Sequence, residues 1–212
     1  MKLFLDTASV SEIEERFSTG LISGVTTNPT LIRKSGRDPD LVYREILDIG
    51  VPDLSIEVRG EDYVDLIANG ALASKDYGMH ATVKLPCTVD GLRACKYLES
   101  VDIRCNMTLV FSVSQAVLCG LAGATYVSPF VGRVDDNGLD GLKLIKDINE
   151  VYKKHNTETK VLAASLRDAQ SVGKAFANGA DICTVPPKVF DNMSTHVLTD
   201  KGLEQFNRDF LA

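Results

Sequence analysis

A chain of 212 residues with 29 acidic and 23 basic side chains carries a net charge of -6, which disfavours non-specific binding to nucleic acid or anionic membrane. Hydrophobic residues make up 44% and charged residues 25%, the balance of a globular protein that can bury a sizeable core. No run of about 18 apolar residues offers a membrane span, and MKLFLDTASV is too short in its apolar stretch, with Asp6 interrupting it, to read as a signal peptide.

In chain order, short β-branched runs alternate with amphipathic stretches. Strands are expected at KLFLDT, GVTTNP, LSIEV, HATVKLP, IRCNMTLV, TYVSPFV, KVLAAS and DICTVP. After the first, SVSEIEERF reads as a helix whose Ser9 and Glu12 have capping-box spacing. DPDLVYREILDIG places Leu41, Ile46 and Leu47 near one face and ends at a glycine. TVDGLRACKYLESV, SVSQAVLCGLAG and LDGLKLIKDINEVYKKH share the helical period. Beyond Pro187, a helical tail over about 188–212 is expected, carrying Leu203, Phe206, Phe210 and Leu211 at apolar-periodic positions suited to covering the barrel floor or a neighbouring subunit.

Strict alternation of strand and helix implies a parallel sheet covered by helices. Eight units in about 190 residues fit a single (β/α)8 barrel over 1–212, with no internal boundary or linker. No GxGxxG or GxxxxGK[ST] motif follows a strand, so nucleotide binding has no support. Five scattered cysteines (Cys87, Cys95, Cys105, Cys119 and Cys183) form no CxxC pair, and the three histidines lack ligand spacing. Reduced thiols in a cytoplasmic protein and no metal are the expectation.

Barrel enzymes place their chemistry at the carboxyl ends of the strands. The polar residues read off there are Asp6, Thr7, Thr26, Asn28, Glu57, Lys84, Asn106, Thr108, Ser128, Ser165 and Thr184. Lys84, in the apolar run ATVKLP, is the sharpest. Alone it is a strand-end lysine reaching for solvent; among carboxylates and amides it becomes a candidate nucleophile. Desolvation disfavours its ammonium form, and a neutral amine attacks a ketone to form an iminium ion. Asp6 and Glu57 are the carboxylates at that mouth. Taken singly, Asp6 reads as a helix cap, Glu57 as a partner of Arg59, and Asn28 before Pro29 as a turn signal. Arg133 and Arg167, just past strand ends, would form a phosphate clamp with Ser165.

LDTA, GVTTNPTLI, TVKLP, NMTLVFS, SPFVGR and AASLR, in this order over nearly the whole chain, resemble the transaldolase family, in particular its small subfamily that includes fructose-6-phosphate aldolase. The resemblance implies a barrel that needs no cofactor and moves a dihydroxyacetone unit between sugar phosphates through a lysine Schiff base. It implies Lys84 as the Schiff-base lysine, Asp6 as the acid/base, and Glu57 with Thr108 as holders of a catalytic water. Asn28, Asn106 and Ser128 would bind the dihydroxyacetone hydroxyls, and Arg133, Ser165 and Arg167 the phosphate. A homo-oligomer, two stacked pentamers in small members, is implied too. Glu57, Phe130 and Asn106 match the transferase branch; the aldolase branch typically has Gln and Tyr at the first two and lacks the Asn. A Tyr hydroxyl near the imine can hold a water for release, and Phe130 cannot. Transfer is therefore favoured over a lyase releasing free dihydroxyacetone, and both over a non-catalytic sugar-phosphate-binding barrel.

Overall fold

The computed structural model describes residues 1–211; the last residue of the expected tail, Ala212, lies outside them. Eight parallel strands close into a barrel in sequence order: β1 (Lys2–Asp6), β2 (Ile22–Thr26), β3 (Leu54–Glu57), β4 (Ala81–Pro86), β5 (Cys105–Val110), β6 (Tyr126–Pro129), β7 (Lys160–Ala163) and β8 (Ile182–Val185). The last pairs with the first, Leu3 against Cys183 and Leu5 against Val185. All eight expected strands are present, and the fold is the expected (β/α)8 barrel.

Pleat alternation sorts each strand's side chains. Leu5, Val25, Leu54, Ile56, Val83, Leu85, Met107 and Val127 are buried in the two clusters that join the strands to the surrounding helices. Phe4, Tyr126, Leu162, Ala164 and Ile182 form a separate cluster, with Phe130 against it. Gly24 lacks a side chain because the Phe4 ring takes the space, 2.6 Å from where a Cβ would stand. Toward the floor, Asp53 accepts hydrogen bonds from Thr82 (2.8 Å), Tyr126 (2.7 Å) and Arg104 (2.6 Å). Below the mouth the barrel is therefore a packed solid, as such barrels are.

The helices are α1 (Val10–Phe17), α2 (Pro29–Ser35), α3 (Pro39–Asp48), α4 (Tyr63–Tyr77), α5 (Val89–Glu99), α6 (Val113–Leu121), α7 (Val131–Asp136), α8 (Gly141–Lys154), α9 (Ala169–Ala177), α10 (Pro187–Asn192) and α11 (Val197–Phe210). No helix is long and apolar enough to cross a membrane. Two local expectations are corrected. The Ser9 side chain makes no capping bond to the α1 backbone; Glu12 instead accepts from the Thr7 hydroxyl at 3.2 Å, and that hydroxyl accepts from the Ser9 amide. On α3 the buried face is Val42, Tyr43 and Ile46, while Leu41 is exposed. The tail forms α10 and α11. α11 buries none of its residues and leaves Leu203, Phe206 and Phe210 exposed, so it does not cover the floor.

Candidate active site

Parallel pairing puts equivalent positions of neighbouring strands side by side. Glu57 stands next to Lys84, and Lys84 next to Asn106. The inward side chains of Lys84 and Asn106, with those of β1, β2, β6, β7 and β8, meet in a cavity of about 100 Å³ at the carboxyl ends of the strands. Asp6, Asn28, Lys84, Asn106, Ser128 and Arg133 line it, as do Phe130 and Ser165.

Lys84 is 5% exposed although it carries a charge-bearing group. Its Nζ donates to the Thr27 carbonyl at 3.0 Å and lies 3.3 Å from Glu57 Oε2. A carboxylate thus lies at ion-pair distance from the buried amine of Lys84. Glu57 has this partner rather than Arg59, and it faces the cleft beside the cavity, lined also by Tyr43 and Arg59.

Asp6 caps no helix. Its Oδ1 accepts from the Thr26 hydroxyl at 2.9 Å, and Thr26 shares a 2.7 Å hydrogen bond with Thr184. Burial pushes the Asp6 carboxyl above its usual range; the nearby Lys84 charge, the Thr26 hydroxyl and Arg133 oppose this without cancelling it. A carboxylate held this way is a stronger base than one in water.

Asn106 and Ser128 are buried and bonded to each other, Ser128 Oγ donating to Asn106 Oδ1 at 2.6 Å. Asn106 Nδ2 in turn donates to Ser55 Oγ at 3.1 Å. Ser55 fixes the amide's orientation and was not among the expected residues. Its position two residues before Glu57, on the same strand face, was the available signal. Asn28 does two things: it lines the cavity, and its Oδ1 caps α2 by accepting from the Leu31 amide at 3.0 Å. Asn28 is thus a helix N-cap rather than part of a turn.

Thr108 lies on β5 where the register with β6 shifts and Leu109 has φ 58. Among the described residues, Thr108 Oγ1 is the one buried side-chain polar atom without a partner. A buried hydroxyl in that state costs about 1–3 kcal/mol unless a water or ligand engages it. Thr108 and Glu57 do not line the cavity itself.

Of the three residues expected to clamp a phosphate, Arg133 and Ser165 line the cavity and Arg167 does not. Arg133 lines the cavity and stacks over the Phe130 ring, 4.8 Å from its centre. Phe130 is thus a platform for Arg133. Ser165 also lines the cavity and holds a left-handed backbone, φ 60; such strained positions concentrate at functional sites. Arg167, by contrast, is engaged by both carboxylate oxygens of Asp136 at the end of α7. Asp136 was not foreseen.

The sequence model of the transaldolase/fructose-6-phosphate aldolase family matches residues 3–212. A "Probable transaldolase" of Symbiobacterium thermophilum is 48% identical, over 100% of this chain and 98% of the relative. Proteins with the same name from Paracoccus denitrificans and Caulobacter vibrioides are each 49% identical, over 99% and 100% of this chain and 96% and 97% of theirs. Among solved structures, a mandelate oxidase variant carrying an FMN adduct superposes with a TM-score of 0.59 at 11% identity, covering 87% of this chain. The match spans 63% of that structure, and at such low identity the likeness concerns the barrel fold alone.

Proposed function

The chain belongs to the transaldolase/fructose-6-phosphate aldolase family, and from that premise we propose that it is a transaldolase working through a Schiff base on Lys84. The observation that carries the reading is the buried Nζ of Lys84, 3.3 Å from Glu57 in a mouth that also holds Asp6. A barrel that merely bound sugar phosphates would have no use for a buried amine with its own proton acceptor.

Glu57 takes a proton from the Lys84 ammonium, and the free amine adds to the keto carbon of a ketose phosphate. Loss of water gives the iminium, an electron sink. Asp6 removes the proton of the hydroxyl on the carbon beyond the breaking bond, the C–C bond cleaves, and an aldose phosphate leaves. The three-carbon enamine stays on Lys84. Asn106 and Ser128, locked by Ser55, suit its hydroxyls, with Asn28 at the rim. The orphaned Thr108 hydroxyl, with Glu57, suits a water that carries protons during imine formation and hydrolysis. Addition of the enamine to a second aldehyde, followed by hydrolysis, completes the transfer. Sedoheptulose 7-phosphate with glyceraldehyde 3-phosphate would give erythrose 4-phosphate and fructose 6-phosphate. Arg133 and Ser165 receive the phosphate, and Arg167 joins them by exchanging Asp136 for it.

Borohydride added with fructose 6-phosphate is expected to fix a reduced three-carbon adduct on Lys84, located by peptide mass mapping. Lys84→Met with full activity, or an adduct elsewhere, ends the proposal. The family also contains aldolases, which differ at one step: release of the enamine as free dihydroxyacetone. Phe130 offers no hydroxyl to hold a water for that release. With fructose 6-phosphate and no acceptor, release at the rate of transfer would make the enzyme a lyase. We further propose that it works in the cytoplasm as a homo-oligomer, with the exposed apolar face of α11 between subunits.

A further inference from the structure

The cysteines carry no spacing motif, yet two of them meet in space. Cys87 lies in the turn leaving β4, three positions after Lys84, and Cys119 lies on the buried face of α6. Their Sγ atoms are 3.7 Å apart. Cys119 is fully buried and Cys87 only partly, so Cys87 is the more accessible residue of the two. Either sulfur can donate across this contact, and Cys87 also lies 4.0 Å from the Gln115 carbonyl as a donor; the contact holds the Cys87 thiol below its usual range, and the contact with burial holds Cys119 well above. A partly exposed cysteine with a lowered thiol pKa, in contact with a shielded one, is the arrangement of an attacking and a resolving cysteine. Cys95 and Cys105, also close together beside Glu99, are both fully buried and lack this asymmetry.

We propose that Cys87 and Cys119 are a peroxide-responsive pair whose disulfide displaces the end of β4 and lowers turnover. The Cys87 thiolate attacks one oxygen of hydrogen peroxide; the O–O bond breaks, hydroxide leaves and is protonated to water, and Cys87 becomes a sulfenic acid. The Cys119 sulfur, releasing its proton, then attacks the Cys87 sulfur; the S–O bond breaks and a second water leaves. Two thiols and one peroxide give one disulfide and two waters. The sulfurs must close from 3.7 Å to about 2.05 Å. The Cys87 amide donates to the Thr108 carbonyl at 2.9 Å, so moving this turn pulls on β4 and β5 together, the strands that carry Lys84 and Asn106. The bridge is independent of the chemistry proposed above; only its effect on turnover rests on that chemistry.

The full chain is treated with hydrogen peroxide, its remaining thiols are alkylated under denaturing conditions, and it is mapped by mass spectrometry without reduction. The expected result is a peptide linked through Cys87 and Cys119, two hydrogens lighter than its parts. Activity should fall about tenfold, because a displacement of about 1 Å at a reacting group costs at least that. Dithiothreitol should reverse both changes. Cys119→Ala should stop at a Cys87 sulfenic acid captured by dimedone, and Cys87→Ser should retain its activity in peroxide. No linked peptide, a bridge to a second chain, or a bridged protein of unchanged activity overturns the proposal.

Discussion

Lys84 and Asp6 are both charged groups kept from water, but different neighbours balance them. Lys84 has Glu57 and the Thr27 carbonyl. Asp6 has hydroxyls and more distant cations, so burial dominates and raises its pKa. Asp6 therefore holds its proton more tightly folded than unfolded. Its favourable contribution to stability is complete below the ordinary carboxylate range and is lost as pH rises through the raised value. Asp6→Asn removes that penalty. The variant should be more stable than wild type at pH 7 in urea unfolding, with the difference vanishing below about pH 4, while kcat falls about 10²–10⁴-fold if Asp6 is the acid/base. A variant less stable than wild type at pH 7 would contradict the assigned balance. Arg133→Ala and Arg167→Ala should each raise KM for a phosphorylated ketose about 10–100-fold, as expected for a charge-assisted hydrogen bond. Unphosphorylated dihydroxyacetone donors should be affected little. An equal loss on both substrate types would remove these arginines from the phosphate site.

The short helices α2 and α7 have no place in a minimal strand-helix repeat, and both sit at the mouth. α2 starts at the Asn28 cap, and α7 carries Arg133 and Asp136. α7 docks closely on the β7–α9 turn: the Gly132 amide donates to the Ser165 carbonyl at 3.1 Å, and a Cβ at Gly132 would lie 2.3 Å from that oxygen. Gly132→Ala must therefore lift α7 away from Ser165. Overpacking of this kind costs about 1–3 kcal/mol, and each kcal/mol lowers Tm by about 2–4 °C at this size. KM for phosphorylated substrate should rise with it, as Arg133 and Ser165 separate. Calorimetry with steady-state kinetics checks both, and an unchanged KM would detach α7 from phosphate binding. The long α4 was absent from the expected helices because its buried face is Leu66, Gly70 and Ala73, too small to mark a helical stripe. α9 and the one- or two-turn α2 and α7 were not anticipated either; short windows hold too few residues for periodicity to stand out.

Across the whole molecule, α11 is the element the barrel does not explain. Phe206 is 62% and Phe210 88% exposed, an apolar stripe of the kind that marks an association surface. Phe206→Asp should shift the sedimentation coefficient toward the monomer with far-UV circular dichroism unchanged, and a wild-type protein that sediments as a monomer would end the proposed homo-oligomer. The sequence by itself determined the barrel, because strict alternation of strand and helix demands a parallel sheet covered by helices, and eight such units suffice to close it. It also placed Asp6, Lys84, Asn106 and Ser128 at the mouth, since a strand's carboxyl end is readable from order along the chain. Only the tertiary structure decided who meets whom. Glu57 pairs with Lys84, Ser55 holds Asn106, Asp136 occupies Arg167, and Cys87 touches Cys119, all across separations of tens of residues. Those contacts depend on register, strand shear and the seating of small helices, which closure of the barrel settles and local composition does not.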